Sequence, residues 1–438
     1  MNLFGTDGIR NRVGSHPFTQ EALPHLGRAL ACWAEETFGS EVRILLARDT
    51  RYSGPWITAG LMQGLLSYPV TIYDAGVFPT PGVFHLMQED THCHLGIIIT
   101  ASHNPSSDNG IKLVSSLSGK LTRADEDRIC KLMMQPNIQK DFSKLGKLIP
   151  FQDAKTLYRK KITNQFSSLS LTDKTIVLDC AHGATTISAP QIFKDLGATV
   201  ISINSDPDGY NINHNSGSTK PEGLAKAVIA HNAFMGFAFD GDGDRVIAVN
   251  SSGQIKDGDD LLALLLTNKE YSLEKGIVST VMANQGLESY LTKIGKKLIR
   301  SNVGDKFVLQ AMEKEELLLG GEPSGHIILK NLLGTGDGIL VALKVLETVL
   351  ATSNHSLESF TKFPQVVINV PIKRKKDLAQ HPLADYIAAC KEKLSAGRLL
   401  VRYSGTEPLL RIMAEGQDIN LTSDAAQVLA DTLERELS

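Results

Sequence analysis

Five times along this chain a short, mainly apolar run ends in a polar, glycine-rich loop. Residues 42–47 lead into RDTRYSG, 95–100 into ASHNPSSDNG, 176–178 into DCAHGA, 234–239 into DGDGDR and 317–319 into GGEPSGH. Continuous apolar runs of this kind are characteristic of strands covered on both faces, and a helix-like stretch is expected after each loop. The pattern predicts α/β domains with largely buried sheets. In open sheets of that class, ligands bind beyond the carboxyl ends of the strands, so the polar residues of these loops stand where chemistry is done.

The chain has 438 residues, too many for one ordinary core, and three or four domains are expected. Boundaries are placed at 1–150, 151–250, 251–364 and 365–438. The last segment reads differently from the rest: strands at 365–371, 398–402 and 409–415, then a helix at 424–436, predict a small α+β domain. No fixed-period repeat and no low-complexity segment is visible.

Hydrophobic residues make up 42% and charged residues 21%, the balance of a folded globular chain. A net charge of −3 provides no field for nucleic acid or an anionic membrane. The basic run Lys373-Arg374-Lys375-Lys376 follows a strand-like segment and reads as a solvated loop. Five scattered cysteines without a CxxC pair suit a reducing cytosol. Asp7 and nearby glycines stand where a signal peptide needs an apolar run, and no segment reaches the roughly 18 apolar residues of a membrane helix. A soluble, cytoplasmic protein is expected.

In DGDGDR, Asp240, Asp242 and Asp244 alternate with Gly241 and Gly243 directly after an apolar run. Three carboxylates in so tight a loop repel one another unless a cation holds them, and Mg²⁺ suits a site that keeps positions open for a phosphate oxygen. A calcium EF-hand is excluded, because its required glycine and glutamate positions hold Arg245 and Ser251. In TASHNPSSDNGIK, Ser102 follows an apolar run, with His103 and Lys112 as donors or cations beside it. Such a serine is by itself more often a turn or N-cap residue than a nucleophile. No GxSxG elbow supports a hydrolase.

GEPSGH brings together Glu322, Ser324 and His326, groups able to hold neighbouring sugar hydroxyls. RYSGTEPLLR joins Arg402, Ser404, Gly405, Thr406 and Arg411 in what reads as a phosphate cradle. It is not a Walker loop, so ATP is not implied, and no GxGxxG follows a first strand to suggest a dinucleotide. His92-Cys93-His94 lacks further ligands at zinc spacing and reads as surface structure.

In this order and spacing the loops resemble the α-D-phosphohexomutase superfamily over essentially the whole chain. The resemblance implies three related mixed α/β domains plus a C-terminal α+β domain resembling the TATA-box-binding protein, all around a central cleft. It implies that Ser102 is the phosphorylated serine and that Asp240, Asp242 and Asp244 hold one Mg²⁺ together with that phosphate. Glu322, Ser324 and His326 match the sugar loop. Arg402, Ser404, Gly405 and Thr406 match the grip on the non-transferring phosphate. Arg10 and Lys112 match positions for proton transfer or charge stabilisation, His103 joins them beside the serine, and Arg245 and Arg411 join the substrate-binding set.

Within the superfamily, FGTDGIR, RDTRYSG, PTPGV, TGDGI and SGTEPLLRIMAEG are most similar to the bacterial branch acting on glucosamine phosphates. Two positions depart from that branch: Asn11 stands for glycine, and Pro323 stands for glutamine inside the sugar loop. The implied reaction passes through a phosphoserine enzyme and a 1,6-bisphosphate, with hexosamine or glucose 1,6-bisphosphate as activator. A sugar phosphate is the expected partner, and the chain is expected as a monomer or homodimer. Glucose or mannose phosphates are the alternative substrates. A non-catalytic sugar-phosphate binder on the same scaffold would have lost the serine or the aspartates, and both are intact.

Overall fold

The computed structural model describes residues 3–5, 7–89, 92–135, 145–394, 397–404 and 408–437. Two compact units emerge, one from residues 1–282 and 299–358, the other from 283–298 and 359–438.

Among the described residues, three sheets lie wholly or mainly in the first unit. The first contains β1 (Phe4–Gly5), β2 (Gly8–Arg12), β3 (Arg43–Arg48), β4 (Thr71–Val77), β5 (Leu95–Ile99), β6 (Asp108–Ser115), β7 (Gly119–Lys120) and β8 (Lys147–Pro150). The second contains β9 (Thr175–Asp179), β10 (Thr199–Ile203), β11 (Met235–Phe239), β12 (Val246–Asn250) and β13 (Ile255–Lys256). The third contains β14 (Gly276–Thr280), β15 (Lys297–Ser301), β16 (Leu319–Gly321) and β17 (Ile327–Leu329). One order recurs in all three: β4-β3-β5-β6, β10-β9-β11-β12 and β15-β14-β16-β17. The last strand of each quartet runs antiparallel to its neighbour. The central strands β5, β11, β14 and β16 are buried along their whole length, as their unbroken apolar character requires.

This topology corrects one expectation. Helices follow the loops at 48–54 and 179–184, but the loops carrying Ser102, the three aspartates and Glu322 lead into strands β6, β12 and β17. Those loops are hairpin connections between antiparallel partners. The residues that follow, such as VIAVN and IIL, are strand formers too short to show a helical period.

The second unit carries β18 (Gln365–Pro371), β19 (Arg398–Tyr403) and β20 (Leu409–Glu415), antiparallel in the order β18-β20-β19. Helices Leu383–Lys393 and Ile419–Leu437 pack with them over a core of Leu410, Ile412, Ala426 and Leu433. The final helix begins before the expected 424, because the Asp418 carboxylate accepts the N–H groups of Asn420 and Leu421 and caps it there. Among the described residues no helix is long and apolar enough to cross a membrane. Four of the five cysteines are buried.

One buried carboxylate ties the three α/β sheets' helices together. Asp337 caps helix Gly338–Thr352 through the N–H groups of Ile339 and Leu340, each at 3.0 Å. Its other oxygen accepts from Tyr158 Oη at 2.9 Å and meets His85 Nε2 at 3.1 Å. Tyr158 lies on helix Ala154–Gln165 and His85 on helix Thr80–Glu89, and all three side chains are fully buried. Replacing Asp337 by alanine removes a cap and strands two buried donors, an expected loss of about 3–5 kcal/mol. Urea denaturation of Asp337→Ala against the parent measures it; Asp337→Asn, which retains an accepting oxygen, should lose less.

Candidate active site

Ser102 sits just past β5 with a left-handed backbone, φ 54°, which costs a non-glycine residue about 1 kcal/mol. Its N–H donates to Thr100 Oγ1 at 2.9 Å, and Thr100 in turn donates to the buried Asp49 at 2.6 Å. The Ser102 side chain is buried, and Oγ donates to Asp240 Oδ2 at 2.7 Å. His103 Nδ1 lies 3.2 Å from the same oxygen. Burial, reinforced by Arg245 and Arg10, lowers the pKa of His103 to about 4, so the ring is neutral near pH 7.

The β11–β12 hairpin aims its three aspartates inward. Their carboxylates each offer an oxygen within 4.8 Å of the others, and all three residues are buried. Burial and the neighbouring Asp244 and Asp242 charges raise the pKa of Asp240 well above the ordinary carboxyl range. Asp242 Oδ2 accepts from Thr80 Oγ1 at 2.6 Å, and Lys112 Nζ stands 2.9 Å from it and 2.6 Å from Asp244 Oδ2. Oδ1 of Asp242 and Oδ1 of Asp244 are buried without a hydrogen bond. Such oxygens, aimed into one small volume beside a hydroxyl, fit a hard divalent cation.

Lys112 comes from β6 and also meets Asp7 at 3.0 Å. Burial works against its charge, yet Asp242, Asp244 and Asp7 outweigh it and raise the amine well above its ordinary value. Asp7 also pairs with Arg10 at 3.2 Å and Lys120 at 2.7 Å, and Lys120 reaches on to Asp305. The sequence does not single out Lys120 or Asp305, and Thr80 is hinted at only by its place inside PTPGV. Asp7 is hinted at only by its place inside FGTDGIR.

The β16–β17 hairpin places Glu322 and His326, both buried, with half-buried Ser324. Glu322 accepts from Gly304 N–H at 3.0 Å and from Ser324 Oγ at 3.2 Å. Gly336 N–H donates to His326 Nε2 at 3.1 Å, which leaves Nδ1 to carry the ring proton toward Asp244, 3.6 Å away. Val246 N–H donates to Gly325 O at 3.0 Å, tying this hairpin to the aspartate hairpin. Gly325 has φ +90°, and a Cβ there would collide with Val246 O, so no other residue fits. Arg10, Arg245, Glu322, His326, Asp244 and Asp305 line one cavity of about 440 Å³, within the usual size range of small-molecule sites.

In the second unit, Arg402 on β19 stands directly opposite Arg411 on β20. Directly opposed residues of antiparallel strands project to the same sheet face, so the two guanidinium groups share one face. Ser404 N–H donates to Leu409 O at 2.8 Å. Lys375 Nζ approaches Ser404 O at 3.4 Å and lies over the Tyr403 ring, so the basic run contributes a cation to this loop. Gly405 and Thr406 lie outside the described residues. His94, from the rejected zinc triplet, accepts Arg43 N–H at 3.0 Å and stacks on Phe38, a structural histidine.

Four family models match in sequence: phosphoglucomutase/phosphomannomutase alpha/beta/alpha domain I over residues 1–139, domain II over 156–253, domain III over 257–366 and the C-terminal domain over 367–432. The chain is 40% identical to a phosphoglucosamine mutase of Acinetobacter baumannii, covering 99% of this chain and 98% of that one. It is 42% identical to a phosphoglucosamine mutase of Hahella chejuensis, covering 95% of each. In structure it is similar to a phosphoglucomutase/phosphomannomutase family protein of Burkholderia thailandensis, with a TM-score of 0.82, 22% identity and coverage of 100% and 98%. It is also similar to an Aspergillus fumigatus N-acetylphosphoglucosamine mutase in complex with GlcNAc-6P and magnesium, with a TM-score of 0.71, 17% identity and coverage of 100% and 96%. These two share the four-domain fold.

Proposed function

The chain belongs to the phosphoglucomutase/phosphomannomutase family of phosphosugar mutases, and we propose that it interconverts glucosamine 6-phosphate and glucosamine 1-phosphate with Ser102 as the phosphoryl carrier. The observation that carries the mechanism is the Ser102 hydroxyl, 2.7 Å from Asp240 at the mouth of a three-carboxylate cluster. The choice of glucosamine rests on the full-length likeness to two enzymes of that name.

In the forward half-reaction the P–Oγ bond of phosphorylated Ser102 breaks and a P–O1 bond forms on glucosamine 6-phosphate. O1 gives up a proton and Oγ gains one. In the return half, the P–O6 bond of the 1,6-bisphosphate breaks, the P–Oγ bond re-forms, Oγ gives up its proton and O6 gains one. His103 Nδ1, 3.2 Å from Oγ, is placed to hold the serine's proton. Lys112, ringed by three carboxylates, contributes positive charge. Mg²⁺ held by Asp240, Asp242 and Asp244 would neutralise charge on the transferring phosphoryl group. Glu322, Ser324 and His326 orient the sugar hydroxyls with Arg245, while Arg10 serves proton transfer or charge stabilisation. Arg402, Ser404 and Arg411, with Gly405 and Thr406, grip the other phosphate.

A hexosamine or glucose 1,6-bisphosphate serves as activator by charging Ser102. Five scattered cysteines without a CxxC pair suit a cytoplasmic enzyme. The test is a substrate panel with Mg²⁺ and a 1,6-bisphosphate: glucosamine 6-phosphate should show kcat/KM at least about ten-fold above glucose 1-phosphate and mannose 1-phosphate. A reversed order would move the assignment to those sugars.

A further inference from the structure

We propose that Asn213 is a positioning residue for phosphoryl transfer, clamping the Ser102 loop from the second sheet while Arg51 clamps it from the first. The inference rests on Ser102 being the phosphoryl carrier. Arg51 is fully buried, and its guanidinium is given over almost entirely to this loop. Nε pairs with Asp49 Oδ2 at 2.8 Å. Nη2 donates to Ser102 O at 2.9 Å and Asn104 O at 2.8 Å, and Nη1 donates to Asp108 O at 3.0 Å and to Pro105 O. A planar fork with five fixed donors is suited to gathering several carbonyls at once.

Asn213 arrives from the opposite side. Its Nδ2 donates to the same two carbonyls, Ser102 O at 2.8 Å and Asn104 O at 3.1 Å. Its own backbone is left-handed, φ 59°, and its N–H is anchored on Ala181 O at 2.9 Å. The aspartate loop leaves room for this grip. A Cβ on Gly241 would meet Ser102 O at 2.7 Å and Asn213 Nδ2 at 2.8 Å. Each of the two carbonyls therefore receives one donor from each side.

Held this way, the uncommon backbone of Ser102 has one available geometry, with Oγ directed at Asp240. Misplacement of a reacting atom by about 1 Å costs on the order of 10²-fold in rate. Asn213 does not line the cavity bounded by Glu322 and His326, so sugar binding does not depend on it. A single clamp side leaves the loop free to tilt; two sides leave the sugar, and not the carrier, to move between half-reactions.

Two substitutions test this in the full-length enzyme with Mg²⁺. Asn213→Gly removes the carboxamide and keeps the left-handed backbone without strain. Asn213→Asp keeps the shape and turns an acceptor toward two carbonyls. With glucosamine 6-phosphate, kcat is expected to fall about ten-fold in Asn213→Gly and further in Asn213→Asp. KM and the Mg²⁺ requirement should stay within roughly twofold. Single-turnover transfer from the phosphoenzyme should slow by the same factors, which keeps the reading independent of any loss in folded yield. Unchanged kcat in both variants overturns the proposal, as does a loss confined to KM or a glycine variant as impaired as the aspartate. Charging wild type with glucose 1,6-bisphosphate and reading intact mass is the separate control: failure to gain one phosphoryl group at Ser102 overturns the carrier assignment itself.

Discussion

Ser102→Ala is expected to lower turnover by a factor of at least about 10⁴ while sugar-phosphate affinity stays within about twofold. The change removes the oxygen proposed both to give and to recover the phosphoryl group, so no partial cycle is expected to survive. It leaves the cavity walls intact, since Ser102 lies outside the residues that line it. It also unburdens Asp240 Oδ2 of its hydroxyl donor, a small local cost beside the loss of the carrier. Calorimetric binding of glucosamine 6-phosphate together with a coupled assay separates the two effects. Substantial turnover in the alanine variant would rule out a phosphoserine cycle.

Asp242→Ala is the second large effect. Its Oδ1 accepts no hydrogen bond and Oδ2 is shared by Thr80 and Lys112, so removal takes away one cation oxygen and one partner of the buried lysine. Turnover should drop by about 10³-fold or more, and affinity for Mg²⁺ by about 10- to 100-fold. Binding of Mn²⁺, followed by electron paramagnetic resonance in the absence of sugar, gives a readout that does not pass through activity. Asp242→Asn keeps an acceptor for Thr80, so comparing the two isolates the carboxylate charge. Equal Mn²⁺ affinity in parent and both variants would remove Asp242 from the metal site.

Much of this is legible in the sequence, and unevenly so. Strands 365–371 and 409–415 match the structure residue for residue, because apolar segments bounded by turn signals leave little choice. The three aspartates and Ser102 stand out through their motifs, and the fold does bring them together. The hairpins read wrongly as strand-to-helix junctions, since the state of so short a run as IIL is decided by its partner strand. Lys120 cannot be read at all. Its partners Asp7 and Asp305 lie 113 and 185 positions away, and only the folded chain makes them neighbours. Asn213 escapes notice for the same reason, its acceptors standing 111 and 109 positions upstream.

The shared strand order has a consequence for how such an enzyme can change. Three modules built alike present the same corner, the last hairpin, and the proposed roles give each a different use: carrying phosphoryl, holding a cation or reading the sugar. A graft of residues 322–326 from a relative with other tastes could therefore re-aim sugar choice and spare the chemistry. The graft is bounded in length, because the main-chain bonds from Val246 to Gly325 and from Gly258 to Pro323 fix both what the loop may be and how far it may reach. Diversification is permitted one corner at a time, within a frame that the neighbouring corners enforce.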